Sequence, residues 1–215
     1  MRVDKWMTPK VISVSPDTSL AAALRLMKEK KIRRLPVVSN GGKLVGIVSD
    51  RDLKEVTPSR ATTLDVWELH TVLDRIKISD VMTKKVVTTT PESTIERAAL
   101  VMLEKRIEGL PVVDAKGTLV GILTEGDVFR ALVEVTGVGK KVTRVSLLVP
   151  DEPGTIRQVA DVCRKSGGNI VSILVSYTKV PAGKRELIMR IQCPSTEALR
   201  VELAKKFGEV TVEQD

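Results

Sequence analysis

Residues 7–53 align without a gap on residues 82–128, at a constant offset of 75 positions, and about twenty of the forty-seven pairs are identical. Met7-Thr8 returns as Met82-Thr83, Pro16 as Pro91 and Met27 as Met102. Leu35-Pro36-Val37-Val38 returns as Leu110-Pro111-Val112-Val113, Leu44-Val45-Gly46-Ile47 as Leu119-Val120-Gly121-Ile122, and Asp52 as Asp127. A supersecondary unit duplicated once predicts a pseudo-symmetric pair rather than a long array, with clefts along the shared seam.

Within each copy the hydrophobic period switches. Val11–Val14 and Val86–Thr89 are mostly β-branched and predict short strands. The turns Ser15–Ser19 and Thr90–Thr94 are rich in capping residues and lead into helices over 20–31 and 95–106. Leu20, Ala23, Leu24 and Met27 share one helical face, as do Ile95, Ala98, Ala99, Met102 and Leu103. Leu-Pro-Val-Val then reads as a strand and Leu-Val-Gly-Ile as its hairpin partner across a Gly-bearing turn. A second helix starts after Ser49 or Thr124. Each copy is therefore β-α-β-β-α, with a sheet too small to stand alone, so pairing the copies would bury one face of each.

A polar connector, Thr57–Thr63, and a helix over 64–78 with Leu69, Val72, Leu73 and Ile76 on one side separate the copies. Trp67 and the only histidine, His70, fall on that helix, which reads as a packing or dimer-contact element. Past Gly137–Lys141 the pattern becomes β-α-β-β-α-β: strands over 142–149, 169–177, 186–193 and 210–212, with helices marked by Ile156, Val159, Ala160, Val162 and Cys163, and by Thr196–Phe207. The fold class is α+β. The expected division is 1–78 for the first copy with its connecting helix, 79–136 for the second copy, and 142–215 for a separate C-terminal domain.

Bulk properties narrow the function. Aromatics make up only 2% of the chain, so its cores must be aliphatic. The net charge of +8 is spread over both parts: residues 1–140 carry 23 Lys/Arg against 18 Asp/Glu, and 141–215 carry 12 against 9. With few rings to stack on bases and no helix-turn-helix or zinc-finger pattern, nucleic acid is not the expected partner. No apolar run is long enough to span a bilayer and no secretory h-region is visible, so no membrane partner and a cytoplasmic location are expected. Cys163 and Cys193 then read as reduced structural thiols. There is no Gly-rich phosphate loop and no nucleophile elbow, and one histidine without ligand-spaced partners argues against a metal. A protein with no catalytic residues and no catalytic cofactor is expected.

The ordered set Leu35–Val38 with Gly46–Asp52, repeated as Leu110–Val113 with Gly121–Asp127, resembles the CBS domain over residues 7–128. Residues 142–215 are similar to the ACT domain through Asp151-Glu152-Pro153-Gly154, the following helix and Gly167-Gly168-Asn169-Ile170. A CBS pair followed by an ACT domain resembles the acetoin-utilisation accessory proteins. The first resemblance implies regulatory binding of an adenine nucleotide in clefts between the copies. Ser49 or Thr124 would hold phosphate at a helix start, and Asp52 or Asp127 would accept from ribose hydroxyls. The same S/T-x-x-D spacing is also a capping box. Val11, Ile32 and Leu35, or Val86, Ile107 and Leu110, would line an adenine slot, beside Pro36 and Pro111.

The copies differ in charge. Lys28–Arg34, including Arg33 and Arg34, carries net +4, and Arg51 follows Ser49; Leu103–Gly109 carries no net charge, and Gly126 replaces Arg51. ATP or ADP is therefore expected on the first copy's side and AMP or a nucleoside on the second. The ACT resemblance implies an amino acid touching Pro153, Gly154 and Asn169, or a dimer contact there; the residues themselves also suit a plain turn. The expected whole is a homodimeric ligand sensor, the alternative a scaffold that recruits a metabolic enzyme without a small ligand.

Overall fold

The computed structural model describes residues 1–56 and 66–214; the connector at 57–63 lies outside the described residues. A single 3-10 turn (Val3–Lys5) leads into β1 (Thr8–Pro9), α1 (Leu20–Lys30), β2 (Arg34–Val38), β3 (Leu44–Ser49) and α2 (Asp50–Glu55). Next come α3 (Val66–Arg75), α4 (Ile78–Val81), α5 (Ile95–Lys105), β4 (Gly109–Val113), β5 (Leu119–Thr124) and α6 (Glu125–Thr136). The main helices start where the sequence places them. Ser19 Oγ accepts from Ala22 N and Thr94 Oγ1 from Arg97 N, both at 3.2 Å. Leu20, Ala23 and Met27 turn inward from α1, and Ile95, Ala98 and Met102 from α5.

Two local expectations fail. Val11–Val14 and Val86–Thr89 are not strands: each gives one isolated parallel bridge, Val14 to Val37 and Thr89 to Val112. Pro16 and Pro91, which lack an N–H, lie two residues past each bridge, and in the first copy Lys10 is left-handed (φ 53°), which interrupts extension from the other side. On α3, Leu73 is buried but Val72 is exposed, because the buried stripe runs through Leu73 and Ile76 and Val72 is rotated off it. The side chains of Leu69, Trp67 and His70 lie outside the described residues.

The two copies are knitted together by exchanged arms. β1 leaves the first copy to pair with β5 (Thr8↔Ile122, Pro9↔Gly121), making the sheet β1-β5-β4. Thr83, 75 positions after Thr8, does the reciprocal thing against the β2-β3 hairpin. Ile47 N donates to Thr83 O at 3.1 Å and Thr83 N to Ile47 O at 2.9 Å. The rest of each arm follows. Leu20 N bonds Ile76 O while Ile95 N bonds Met1 O, and the fully buried Ile78 and Val3 occupy matching places. Leu44 N→Gly117 O and Leu119 N→Gly42 O, each 3.1 Å, mark the local two-fold.

Close approach explains the repeated glycine of Leu-Val-Gly-Ile. A Cβ on Gly46 would overlap Met82 Sδ and sit 2.9 Å from its Cγ, and one on Gly121 would overlap Met7 Sδ and sit 3.0 Å from its Cγ. Each methionine is the arm residue next to the exchanged threonine, so the absent side chain is what admits the arm.

The chain divides into two compact units, 1–129 and 130–215, with the division inside α6. In the second unit β6 (Thr143–Pro150), α7 (Thr155–Lys165), β7 (Asn169–Ser176), β8 (Lys184–Gln192), α8 (Thr196–Phe207) and β9 (Val210–Gln214) follow the β-α-β-β-α-β order read from the sequence. They form one antiparallel sheet ordered β7-β8-β6-β9. Val145, Leu147, Val149, Leu187, Met189 and Ile191 pack with Val159, Cys163, Leu199 and Leu203. The end of α6 is fastened to this sheet: Arg190 Nη1 and Ser172 Oγ both donate to Thr136 O, at 3.0 and 2.7 Å. Cationic donation to a last-turn carbonyl suits a helix C-terminus. Both cysteines are free thiols, and burial pushes Cys163 up to about 11, so it stays protonated at neutral pH.

Candidate functional site

Two clefts of the first unit bring the repeated motifs together, and each is built from both copies. The first, ≈ 460 Å³, has an apolar wall of Val11, Ile12 and Ile32 from copy one. Ile122, Thr124, Glu125 and Gly126 at the β5–α6 junction of copy two face that wall. The second, ≈ 300 Å³, joins Val86, Val87 and Ile107 of copy two to Ile47, Ser49, Arg51 and Asp52 of copy one, with Pro111 at its side. The volumes fall at the low end of the range for small-molecule sites. The crossing follows from the arms: Thr8, Lys10 and Val11 reach the first cleft directly from strand β1, which is bonded to β5.

This crossing fixes which apolar residues face which junction, a pairing the sequence leaves open. Val11 and Ile32 do not share a cleft with Ser49 and Asp52; they face Thr124. Leu35 and Leu110 are fully buried core residues and line neither cleft, because the strand alternation turns them inward. Pro36 is buried and lines neither cleft, whereas Pro111 lines the second.

The charge asymmetry is corrected with it. The cations of the first copy are dealt out to both clefts. Lys10, Lys31, Arg33 and Arg34 line the first cleft with Glu108 and Glu125; Arg34, Arg51, Lys85 and Arg106 line the second with Asp50, Asp52 and Glu108. Neither cleft is the cation-free one. Lys31 belongs to the basic run read from the sequence, whereas Lys10, Lys85, Arg106 and Glu108 are added by the structure. The signal was there in the offset, since Lys10 matches Lys85 and Lys31 matches Arg106.

The first S/T-x-x-D element is closed as a capping box, and in the second Asp127 accepts from both the backbone and the hydroxyl of Thr124. Ser49 Oγ accepts from Asp52 N at 3.2 Å and Asp52 Oδ2 accepts from Ser49 N at 2.7 Å. Asp127 Oδ2 accepts from Thr124 N at 2.7 Å and from Thr124 Oγ1 at 2.6 Å. The acceptors are not equivalent. Asp52 is half-buried and lines the second cleft; Asp127 is 1% exposed and lines none. Arg34 is paired with Glu108, whose carboxyl is held below the usual range first by that hydrogen bond and then by the guanidinium charge. Lys54 likewise lowers Asp50 through a 3.1 Å bond.

Lys31 and Arg106 end α1 and α5 in the left-handed region, both at φ 53°. Glycine is the usual residue there, so each cleft keeps a cation on a strained backbone position. Lys31→Gly is expected to raise stability by about 1 kcal/mol by relieving that strain. It should weaken anion binding in the first cleft by about threefold, as for one solvated cation. Thermal melts and AMP titration of the same variant check the opposite signs.

In the second unit an open depression of ≈ 490 Å³ is lined by Asp151–Gly154, Ile156, Arg157 and Arg185. Pro153 and Gly154 are in it. Asn169 is not: it pairs with Gln192 at the start of β7, at the other end of the eleven-residue helix α7, roughly 16 Å along its axis.

Comparison with known proteins settles the family of the duplicated part. The model of the CBS domain matches residues 3–58 and 78–134, together more than half of the chain. The chain belongs to the CBS domain family. Among solved structures, Arabidopsis thaliana CBSX2 crystallised with AMP is 39% identical with a TM-score of 0.52, covering 62% of this chain and 97% of that one. The CBS domain pair of protein MJ0100, crystallised with 5'-methylthioadenosine and S-adenosylmethionine, is 25% identical with a TM-score of 0.52, covering 62% and 97%. A Vibrio cholerae protein of the acetoin-utilisation AcuB type is 29% identical with a TM-score of 0.54, covering 65% and 98%. The CBS match ends at residue 134, before the C-terminal sheet begins. No helix among the described residues is long and apolar enough to cross a membrane.

Proposed function

We propose that this CBS protein is a regulatory sensor without catalytic activity, binding an adenosine-type ligand in one or both clefts of its first unit. One observation carries the proposal: each cleft combines an apolar wall for a base, a hydroxyl at a strand-to-helix junction and several cations for a phosphate or sulfonium-bearing tail's carboxylate. That CBSX2 was crystallised with AMP, and the MJ0100 pair with two adenosine derivatives, supports the same chemistry. In the first cleft Val11 and Ile32 would hold the base and Thr124, Lys31 and Arg33 the anionic end. In the second, Val86 and Ile107 would hold the base, Asp52 the ribose, and Ser49, Arg51 and Arg106 the anionic end. The C-terminal unit we assign to a ferredoxin-like ACT type, serving as a homodimer contact or an amino-acid sensor at the Pro153–Gly154 depression.

A second reading, a scaffold for a protein partner such as a metabolic enzyme, is favoured by one specific feature. Leu100, Leu103 (76% exposed) and Phe129 (61% exposed) are exposed on copy two, where copy one carries Arg25, Lys28 and Lys54. Large exposed apolar side chains on one copy alone suit a partner surface.

Titration calorimetry with AMP, ADP, ATP, NAD and S-adenosylmethionine tests the choice. Binding of at least one adenosine ligand is the expected result. Silence across the panel, with a pull-down partner retained regardless of nucleotide, would leave the scaffold.

A further inference from the structure

Most lining residues of the two clefts are related through the 75-position offset, and the relation breaks where the clefts meet. The first residue of β2 is Arg34, and its counterpart, the first residue of β4, is Gly109. The residue before each is Arg33 in copy one and Glu108 in copy two. An exact repeat would give each cleft its own arginine here. Instead one guanidinium, 19% exposed, lines both clefts, lies against the bare Cα side of Gly109, and is held by Glu108, which also lines both.

We infer that Arg34 is a single phosphate-directed cation shared by the two clefts, so that an anionic ligand bound in one lowers the affinity of the other. This rests on the nucleotide proposal above. A guanidinium makes its strong contacts to phosphate as a directed pair of hydrogen bonds, and that fork cannot face two phosphates at once. The first anion to arrive takes Arg34 from Glu108. The second then meets a cleft that lacks this cation and still contains the released carboxylate of Glu108. Coupling of this kind is a free energy between two sites and must be reciprocal.

Calorimetry on the full chain with AMP separates shared from merely unequal sites. Val11→Trp fills the first cleft and Val86→Trp the second, giving the affinity of each cleft alone. In the unsubstituted chain the product of the two stepwise association constants should fall short of the product of the single-cleft constants by about tenfold. Arg34→Gln should abolish the shortfall, and adenosine, which carries no phosphate, should show none in the unsubstituted chain. AMP binding in both clefts with no shortfall, or a shortfall that persists in Arg34→Gln, overturns the sharing and leaves the nucleotide proposal standing. Absence of AMP heat in every variant overturns that proposal, and the sharing with it.

Discussion

Gly46→Ala is expected to destabilise the first unit by about 1–3 kcal/mol, and Gly121→Ala by a similar amount, the usual range for overpacking. The cause is the arm, not the hairpin. Both glycines sit in ordinary strand backbone, so alanine itself is tolerable there; what it meets is Met82 in one case and Met7 in the other. The effect should therefore be conditional. Met82→Ala, which leaves a gap of its own, should make Gly46→Ala nearly harmless when the two are combined. Chemical denaturation of both single variants and the double variant gives the coupling energy. Additive losses would mean that the glycine serves its own strand and that the arm exchange is not what holds the copies together.

The second large effect separates two aspartates that the sequence presents as equals. Asp127→Ala should cost about 1–3 kcal/mol, because it strips a buried, doubly bonded acceptor from Thr124 N and Oγ1. Asp52→Ala should lose less stability, about 0.5–2 kcal/mol for a partly solvated cap. It should also weaken AMP in the second cleft about tenfold, the worth of one hydrogen bond to a charged acceptor. Melting curves and titrations on the pair read both differences. Equal binding losses would show that Asp127 leaves its cap to reach a ligand.

What the sequence showed and what it hid divide along the same physical line. Ser19 and Thr94 announce helices because a cap acts on amides two or three residues away. The C-terminal unit was legible for the same reason: its strands alternate and its turns carry Pro150–Gly154 and Gly167-Gly168. The destination of Thr8 was not legible. A duplicated chain offers each arm two nearly identical hairpins, and identity at Leu44–Ile47 and Leu119–Ile122 cannot say which one it joins. That ambiguity hides that Val11 faces Thr124, and that the basic run Lys28–Arg34, expected on one side, gives Lys31 and Arg33 to the first cleft and Arg34 to both. Leu35 and Ile32 show a smaller version. Both are apolar and close in sequence, but Leu35 lies within β2 and joins the core, whereas Ile32 precedes that strand and lines the cleft.

Each cleft takes its apolar wall from one copy and its polar junction from the other. AMP titration of Asp52→Ala in two blocked backgrounds reads this crossing. With Val11→Trp closing the first cleft, Asp52→Ala should cut the remaining affinity about tenfold; with Val86→Trp closing the second, it should change nothing. The opposite pattern, loss of binding with Val86→Trp and none with Val11→Trp, would place Asp52 beside Val11 within a single copy and contradict the crossed architecture.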